Sequence, residues 1–402
     1  MAASGLHALA SEQRAAAPAL GRIVVIGTGL IGTSIALAMR QVGTEVLLID
    51  RDPDAVRLAA DLGAGTPWPD DSGEPADLAV VAVPPPAVAA TLLDAQKRGV
   101  AAAYTDVASV KGPPLAEAMR LGCDLRVFVP GHPMGGRERS GPLAARPGLF
   151  LGRPWVLCPT QECDPAVVAG VTELVTGCGA TPVTMDAAEH DRAVALISHA
   201  PHVVSAAMAA RFTEAPQHMV NLAGQGARDV TRIAAADPEL WLEILRANAH
   251  PVADVIESVA RDLALTAAAL RAEGGPADLA RPVADLARPV ADLGRPDADT
   301  ARPVADLLAR GTDGRGRIPA KHGGSPQPLA TVTALVPDRP GELALIFQAA
   351  GVAGINIEDV TIDHLPGRSV GVVELAVDPD SAPLLAAELR TRGWSVPVTP
   401  TC

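Results

Sequence analysis

The sequence predicts a mixed α/β chain with a doubly wound parallel sheet first, an all-helical middle and a small βαββαβ unit last. Three stretches carry that expectation. Residues 23–26 are an apolar, β-branched run of the kind buried on both faces of a parallel sheet, and a glycine-rich turn and an amphipathic helix follow at once. Residues 187–213 and 239–272 read as long helices, the first apolar around much of its circumference. Residues 330–398 alternate short strand and helix periods in the order βαββαβ.

The glycine turn is Gly27-Thr28-Gly29-Leu30-Ile31-Gly32. In a strand–turn–helix unit, Gly27 allows the tight turn, Gly29 lets the backbone approach a pyrophosphate, and Gly32 lets the helix pack on the strand. The free N–H groups of that helix then face the anion. A second strand over residues 45–49 ends on Asp50, placed to bind ribose hydroxyls, which favours NAD over NADP; Arg51 beside it acts against that preference. The pattern is that of a Rossmann-type nucleotide fold, and Leu30, Ile31, Val83 and Pro84 complete the expected cofactor contacts.

The following elements continue the alternation. A helix at 55–62, a buried strand at 76–83 closed by Pro84-Pro85-Pro86, a helix at 88–97 and a strand at 100–105 come first. A helix at 114–121 and a strand at 126–129 complete the series. Ligands of open parallel sheets lie beyond the carboxyl ends of the strands. The glycine turn, the loop Asp106-Val107-Ala108-Ser109-Val110-Lys111 and the loop around His132 should therefore converge. His132, in a Gly/Pro-rich loop, suits a general base. Ser109 either orients the reacting groups or caps the next helix, and Lys111 either meets an anion or is solvated.

Composition narrows the classes. The 402 residues suffice for two or three domains, and 48% hydrophobic residues give real cores. A net charge of -13 and a pI near 5.1 argue against nucleic acid or an anionic membrane as partner. The five cysteines lack the paired spacings of a zinc site or disulfide framework, so no metal is expected and a reducing cytoplasm fits. Residues 1–20 read as a disordered tail rather than a leader, and no membrane span is expected.

In the helical middle, His199 and His202 share a helix face, with Arg192 expected on the same side. Pro201 between them should kink the helix by freeing the carbonyl of Ile197. Two satisfied core histidines are the plain alternative to ligand contact, and Trp155 and Trp241 read as packing residues.

The motifs Gly27 to Ser34, Thr105 to Lys111 and Gly131-His132-Pro133-Met134-Gly135-Gly136-Arg137-Glu138-Arg139-Ser140-Gly141 together resemble the prephenate dehydrogenases of tyrosine biosynthesis. The likeness continues through Ser198-His199-Ala200-Pro201-His202, Asp229-Val230-Thr231-Arg232 and Asp237-Pro238-Glu239-Leu240-Trp241. It implies oxidative decarboxylation of prephenate to 4-hydroxyphenylpyruvate with NAD by a homodimer. His132 would accept a hydrogen bond from the ring 4-hydroxyl, with Ser109 aligning the groups. Arg232 would hold a substrate carboxylate, His202 and His199 would line the substrate side, and Glu138 would sit at the rim.

Residues 277–304 repeat Ala-Asp-Leu-Ala-Arg-Pro-Val with period seven. Proline in every copy, at about 3 kcal/mol each inside a helix, predicts a flexible or broken-helical linker. The 311–324 stretch, with Arg315, Arg317, Lys321 and His322, reads as a basic loop. Asp338-Arg339-Pro340-Gly341-Glu342 and Gly354-Ile355-Asn356-Ile357 resemble ACT regulatory domains, which implies tyrosine as effector at Asp338, Pro340, Gly341, Glu342 and Asn356. The expected domains are then a tail (1–20), an NAD-binding domain (21–185) and a helical substrate and dimerisation domain (186–273). A repeat linker with basic loop (274–326) and an ACT domain (327–402) complete them. Arogenate as substrate, a β-hydroxyacid dehydrogenase, or a non-catalytic sensor of NAD and an amino acid are the rival readings.

Overall fold

The computed structural model describes residues 20–69, 74–135, 141–273, 302–318, 328–364 and 369–397. Glu138, most of the tail, the repeat up to residue 301, Lys321 and His322 lie outside them. The chain divides into two units, Met1–Val259 and Ala260–Cys402.

The first unit begins with β1 (Arg22–Ile26), α1 (Leu30–Gln41), β2 (Glu45–Ile49), α2 (Pro53–Asp61), β3 (Thr66–Pro67) and β4 (Ala76–Val81). Next come α3 (Val88–Lys97), β5 (Ala101–Asp106), α4 (Gly112–Leu121) and β6 (Phe128–Val129). The six strands form one parallel sheet in the order β3-β2-β1-β4-β5-β6, the doubly wound order with its switch point between β1 and β4. Ile23, Val24, Val25, Leu78, Ala79 and Val80 are buried, as central strands covered by helices on both faces require.

Gly27 and Gly32 are fixed by geometry. Gly27 has φ 105°, and a Cβ there would lie 2.2 Å from the Ala82 carbonyl oxygen. On Gly32 it would lie 1.9 Å from the Gly27 carbonyl oxygen and 3.0 Å from Val25 Cγ1. Side-chain-free contact there brings α1 down onto β1.

A second, small sheet also forms, which the hydrophobic periodicity does not announce. β7 (Gly131–Pro133), β8 (Pro154–Leu157) and β9 (Thr181–Thr184) pair in that order, with α5 (Pro165–Gly177) between the last two. His132, expected in a loop, is therefore the middle of a strand and pairs with Val156. A three-residue edge strand tolerates the flanking Pro130 and ends on Pro133, which is why periodicity could not reveal it. Trp155, fully buried, packs its ring on Phe150.

The helical region is α6 (Ala187–Val194), a π turn (Ala195–His199), α7 (Ala200–Ala210), α8 (Gln217–Val220), α9 (Gln225–Thr231), α10 (Pro238–Ala247) and α11 (Ala249–Glu273). The distortion expected from Pro201 takes the form of that π turn, because proline leaves the Ile197 carbonyl without its donor. The extra residue in the turn rotates the helix that continues from it. Arg192 is exposed whereas His190 and His199 are both buried, so the shared face expected for Arg192 and His199 does not form. Residues 239–272 are two helices instead of one, broken at Asn248, since Pro251 cannot donate to the carbonyl four residues back. The run Ala187–Thr213 is long and apolar enough to cross a membrane by length and composition. Its His190, Asp191, His199, His202 and Ser205 are nevertheless buried against the rest of the unit.

In the second unit the end of the repeat enters α12 (Arg302–Gly316), where Pro303 sits harmlessly in the first turn, so residues 311–316 are helix and not loop. β10 (Ala330–Pro337), α13 (Glu342–Val352), β11 (Asp359–His364), β12 (Val370–Val377) and α14 (Ala382–Thr391) follow. The antiparallel sheet runs β10-β12-β11, and both helices pack on it through Ile346, Ala349, Leu385 and Leu389. The last expected strand is reduced to one bridge, Leu335 to Ser395.

Replacing Gly32 by Ala should lower the unfolding free energy by roughly 1–3 kcal/mol in urea titration, through forced separation of α1 and β1. Unchanged stability would show that the two elements have slack.

Candidate active site

The carboxyl ends of β1, β4 and β5 and the strand β7 bring the expected loops to one side of the sheet. At β1, Gly29 precedes α1 and has open space where a Cβ would stand, so the backbone is accessible above the first turn. Asp50, at the end of β2, accepts from the Thr28 amide (2.6 Å) and hydroxyl (3.0 Å) through Oδ2 and from the Asp52 amide (3.0 Å) through Oδ1. An ionised carboxylate offers about four acceptor positions, so one is left beside the turn. Arg51 and Pro84 are exposed; Leu30, Ile31 and Val83 are half-buried, with Val83 Cγ1 3.4 Å from the Cβ position of Gly27.

At β5 the outcome differs from the sequence expectation for Lys111. It is neither solvated nor free for an anion: its side chain is 1% exposed and its ammonium is bonded to the Asp106 carboxylate and to the Gly131 carbonyl (2.5 Å). Asp106 also accepts from the amides of Ala108 (3.0 Å) and Gly131 (3.1 Å). Both backbone groups of Gly131 are thus clamped, immediately before His132. Ser109 is half-buried in the same loop and does not cap α4, whose cap position is Lys111.

His132 is not alone. Its Nδ1 lies 2.8 Å from Nε2 of His190, whose Nδ1 lies 2.8 Å from Oδ1 of Asp191. Asp191 accepts from the amides of Lys111 (2.8 Å) and Gly112 (2.8 Å), at the start of α4. Burial raises the Asp191 pKa, but hydrogen bonds from His190 and the two amides outweigh it and hold the carboxyl below the usual range. For His132, burial first, then the proximity of His190, Lys111 and His199, pushes the imidazole well below its ordinary value, so it is neutral near pH 7.

His199 is pushed down to about 4, mainly by burial, and its Nδ1 is met at 3.1 Å by the Asn248 amide, which also donates to the Asp191 carbonyl (2.8 Å). His202 is buried and stacks on Trp241, ring centroids 3.6 Å apart and planes 5° apart. Trp241 meets His199 edge-on as well, so it orients two histidines besides packing. Arg232 is exposed at the head of the turn Arg232–Ala234, which packs on α7. The structure therefore ties Lys111 to Gly131, the residue before His132, keeps Ser109 in the loop that leads to Lys111, and places His199 and His202 in the π turn and helix that follow α6. It gives Arg232 no ionic partner among the described residues. His190, Asp191, Asp106 and Asn248 carry no role in the sequence reading; the His190-Asp191 pair stands between Glu189 and Arg192 and so resembles an ordinary polar helix start. Among the described residues, no group of three His, Cys, Asp or Glu side chains is placed to hold a metal ion.

A doubly wound sheet with an accessible glycine turn and a neutral, anchored histidine beyond its carboxyl ends defines a nucleotide-dependent dehydrogenase class. Family models for the prephenate dehydrogenase nucleotide-binding domain and dimerization domain match residues 35–184 and 186–282. A probable prephenate dehydrogenase, NovF, of Streptomyces niveus is 41% identical over 92% of this chain and 98% of its own length. The prephenate dehydrogenase of Bacillus subtilis is 32% identical over 60% of this chain and 68% of its own. Among solved structures, prephenate dehydrogenase from A. aeolicus, in complex with hydroxyphenyl propionate and NAD+, aligns with a TM-score of 0.59 at 22% identity. That alignment covers 73% of this chain and 97% of that one, a likeness of fold. The chain belongs to the prephenate dehydrogenase family.

Replacing Lys111 by Met leaves Asp106 buried without its cation, which should cost roughly 3–5 kcal/mol of unfolding free energy. A loss under about 1 kcal/mol, the range of an exposed pair, would contradict the clamp.

Proposed function

We propose that this chain catalyses the NAD-dependent oxidative decarboxylation of prephenate to 4-hydroxyphenylpyruvate. The observation that carries the reading is the neutral, half-buried His132 anchored by His190, in a chain with an accessible glycine turn. The turn fits the dinucleotide: side-chain-free Gly27 and Gly32 shape it, Gly29 opens it, the first amides of α1 meet the pyrophosphate, and Asp50 meets the ribose. When bound, NAD takes the hydride from the substrate carbon that carries the hydroxyl.

The chain does the rest by positioning and proton transfer. His132 takes the hydroxyl proton as the carbon becomes a carbonyl, and Ser109 aligns the hydroxyl. Loss of CO2 then sends the bonding electrons into the ring and onto the oxygen, and the resulting phenolate takes the proton back from His132 to become the phenol. The driving force of aromatisation means that a positioned weak base is enough. Arg232 supplies a planar, two-pronged partner for a carboxylate of the dianionic substrate, and His202, fixed by Trp241, faces its side chain together with His199.

Residues 21–185 form the nucleotide domain and 186–273 the substrate and dimerisation domain. Leu196, Ile197 and Leu222 in the latter are 61%, 62% and 83% exposed, apolar surface suited to a second copy of the chain. Residues 274–326 are the linker and 327–402 an ACT domain. Its support is the antiparallel order β10-β12-β11 with Ser395 bridged to β10, a βαββαβ arrangement. Gly341 and Glu342 begin α13 and Asn356 bonds Glu358, so the residues suggested for tyrosine gather after β10 and before β11. The four described cysteines are free and buried, which suits a reducing cytoplasm.

Purified protein should form NADH with prephenate, more slowly with arogenate and with NADP in place of NAD. His132→Asn should lose about 10²- to 10⁴-fold in turnover with NAD affinity retained. Inactivity on both substrates would overturn the reading, and faster turnover of arogenate would reassign the substrate. Tyrosine should raise the melting temperature of the full chain where phenylalanine does not; no shift would leave the last domain as a dimer clamp.

A further inference from the structure

A neutral imidazole has one N–H and one lone pair, and the partner of one nitrogen decides what the other presents. His132 can take a proton at Nε2 only if Nδ1 carries the hydrogen. The bonds on its far side determine this. Asp191 accepts from two backbone amides and, as a carboxylate, has nothing to donate, so His190 Nδ1 must be the donor in their 2.8 Å contact. Neutral His190 then has a lone pair at Nε2, and His132 Nδ1 must be the donor across the next 2.8 Å. The lone pair of His132 is left at Nε2.

We propose that His190 and Asp191 are positioning residues that fix His132 in its Nδ1–H tautomer. In turnover the substrate O–H bond breaks, the new N–H bond forms at Nε2, and Nδ1–H stays on His132, still bonded to His190. The relay deepens the reading of His132 as the proton acceptor and rests on it.

Around the pair stand Lys111 and Asp106 from the loop after β5, Asp191 from α6, and His199 from the π turn; Cys158, after β8, shares Lys111, Asp106 and Asp191 as neighbours. Lys111 is paired with Asp106, which leaves Asp191, among the described residues, as the carboxylate bonded to the histidines.

The test uses the full chain labelled with 15N-histidine, with His132 assigned by comparison with His132→Asn. At pH 8, His132 should show a pyrrole-type Nδ1 and a pyridine-type Nε2; the reverse pattern overturns the proposal whatever the activity. His190→Leu should mix the two tautomers and lower kcat about 10²-fold, the lower end of what a general base contributes, with the KM for prephenate and the affinity for NAD within about threefold. His190→Gln, whose amide can donate to Asp191 and accept from His132, should restore the tautomer and most of kcat. Wild-type shifts and kcat in His190→Leu would overturn the relay, as would Gln failing to restore the tautomer. Should the protein oxidise neither substrate, the nitrogen shifts still decide the relay, so the two readings fail separately.

Discussion

The active-site architecture depends on one buried residue, Lys111, which works from both ends. Its ammonium grips Asp106 and the Gly131 carbonyl, and so sets the strand that carries His132. Its own amide grips Asp191, which sets the helix that carries His190. A sheet loop, a short edge strand and a helix of the following region are thereby tied at a single point, and the histidine pair lies between them. Burying a lysine is costly unless it is paired and fully hydrogen-bonded, and here a carboxylate and a carbonyl satisfy it.

The same burial makes the site chemically useful. Desolvation disfavours a charged imidazole at His132, His199 and His202, so all three are held neutral near pH 7 and are available as acceptors or hydrogen-bond partners. Asp191 would suffer likewise, yet the amides at the start of α4 keep it ionised. A base of lowered pKa is weak, and a reaction pulled forward by aromatisation can use a weak, well-placed base.

The doubly wound sheet is legible in the sequence because its signals are local: a β-branched run, three glycines at fixed spacing, and an acidic residue after the next strand. His132 and Ser109 could be brought together as well, since loops at the carboxyl ends of adjacent strands must meet. The partners that come from far along the chain could not. His190 lies 58 residues from His132, and the π turn that helps orient its helix changes the face that a regular period would assign. Lys111 reads from sequence as an anion contact or a solvated charge because nothing in its own segment announces that Gly131 and Asp106 will enclose it. Trp241 read as packing because stacking on His202 is a tertiary event.

The buried pair of Lys111 and Asp106 acts by positioning the base and not merely by stabilising the fold. The double variant Lys111→Met with Asp106→Leu separates these roles, because replacing both charges by apolar groups restores much of the stability that either single change forfeits. Turnover with prephenate and NAD, measured on the folded double variant, should remain at least about 10²-fold below the parent, since Gly131 is no longer held on either side. A stable double variant with parental turnover would contradict the positioning role.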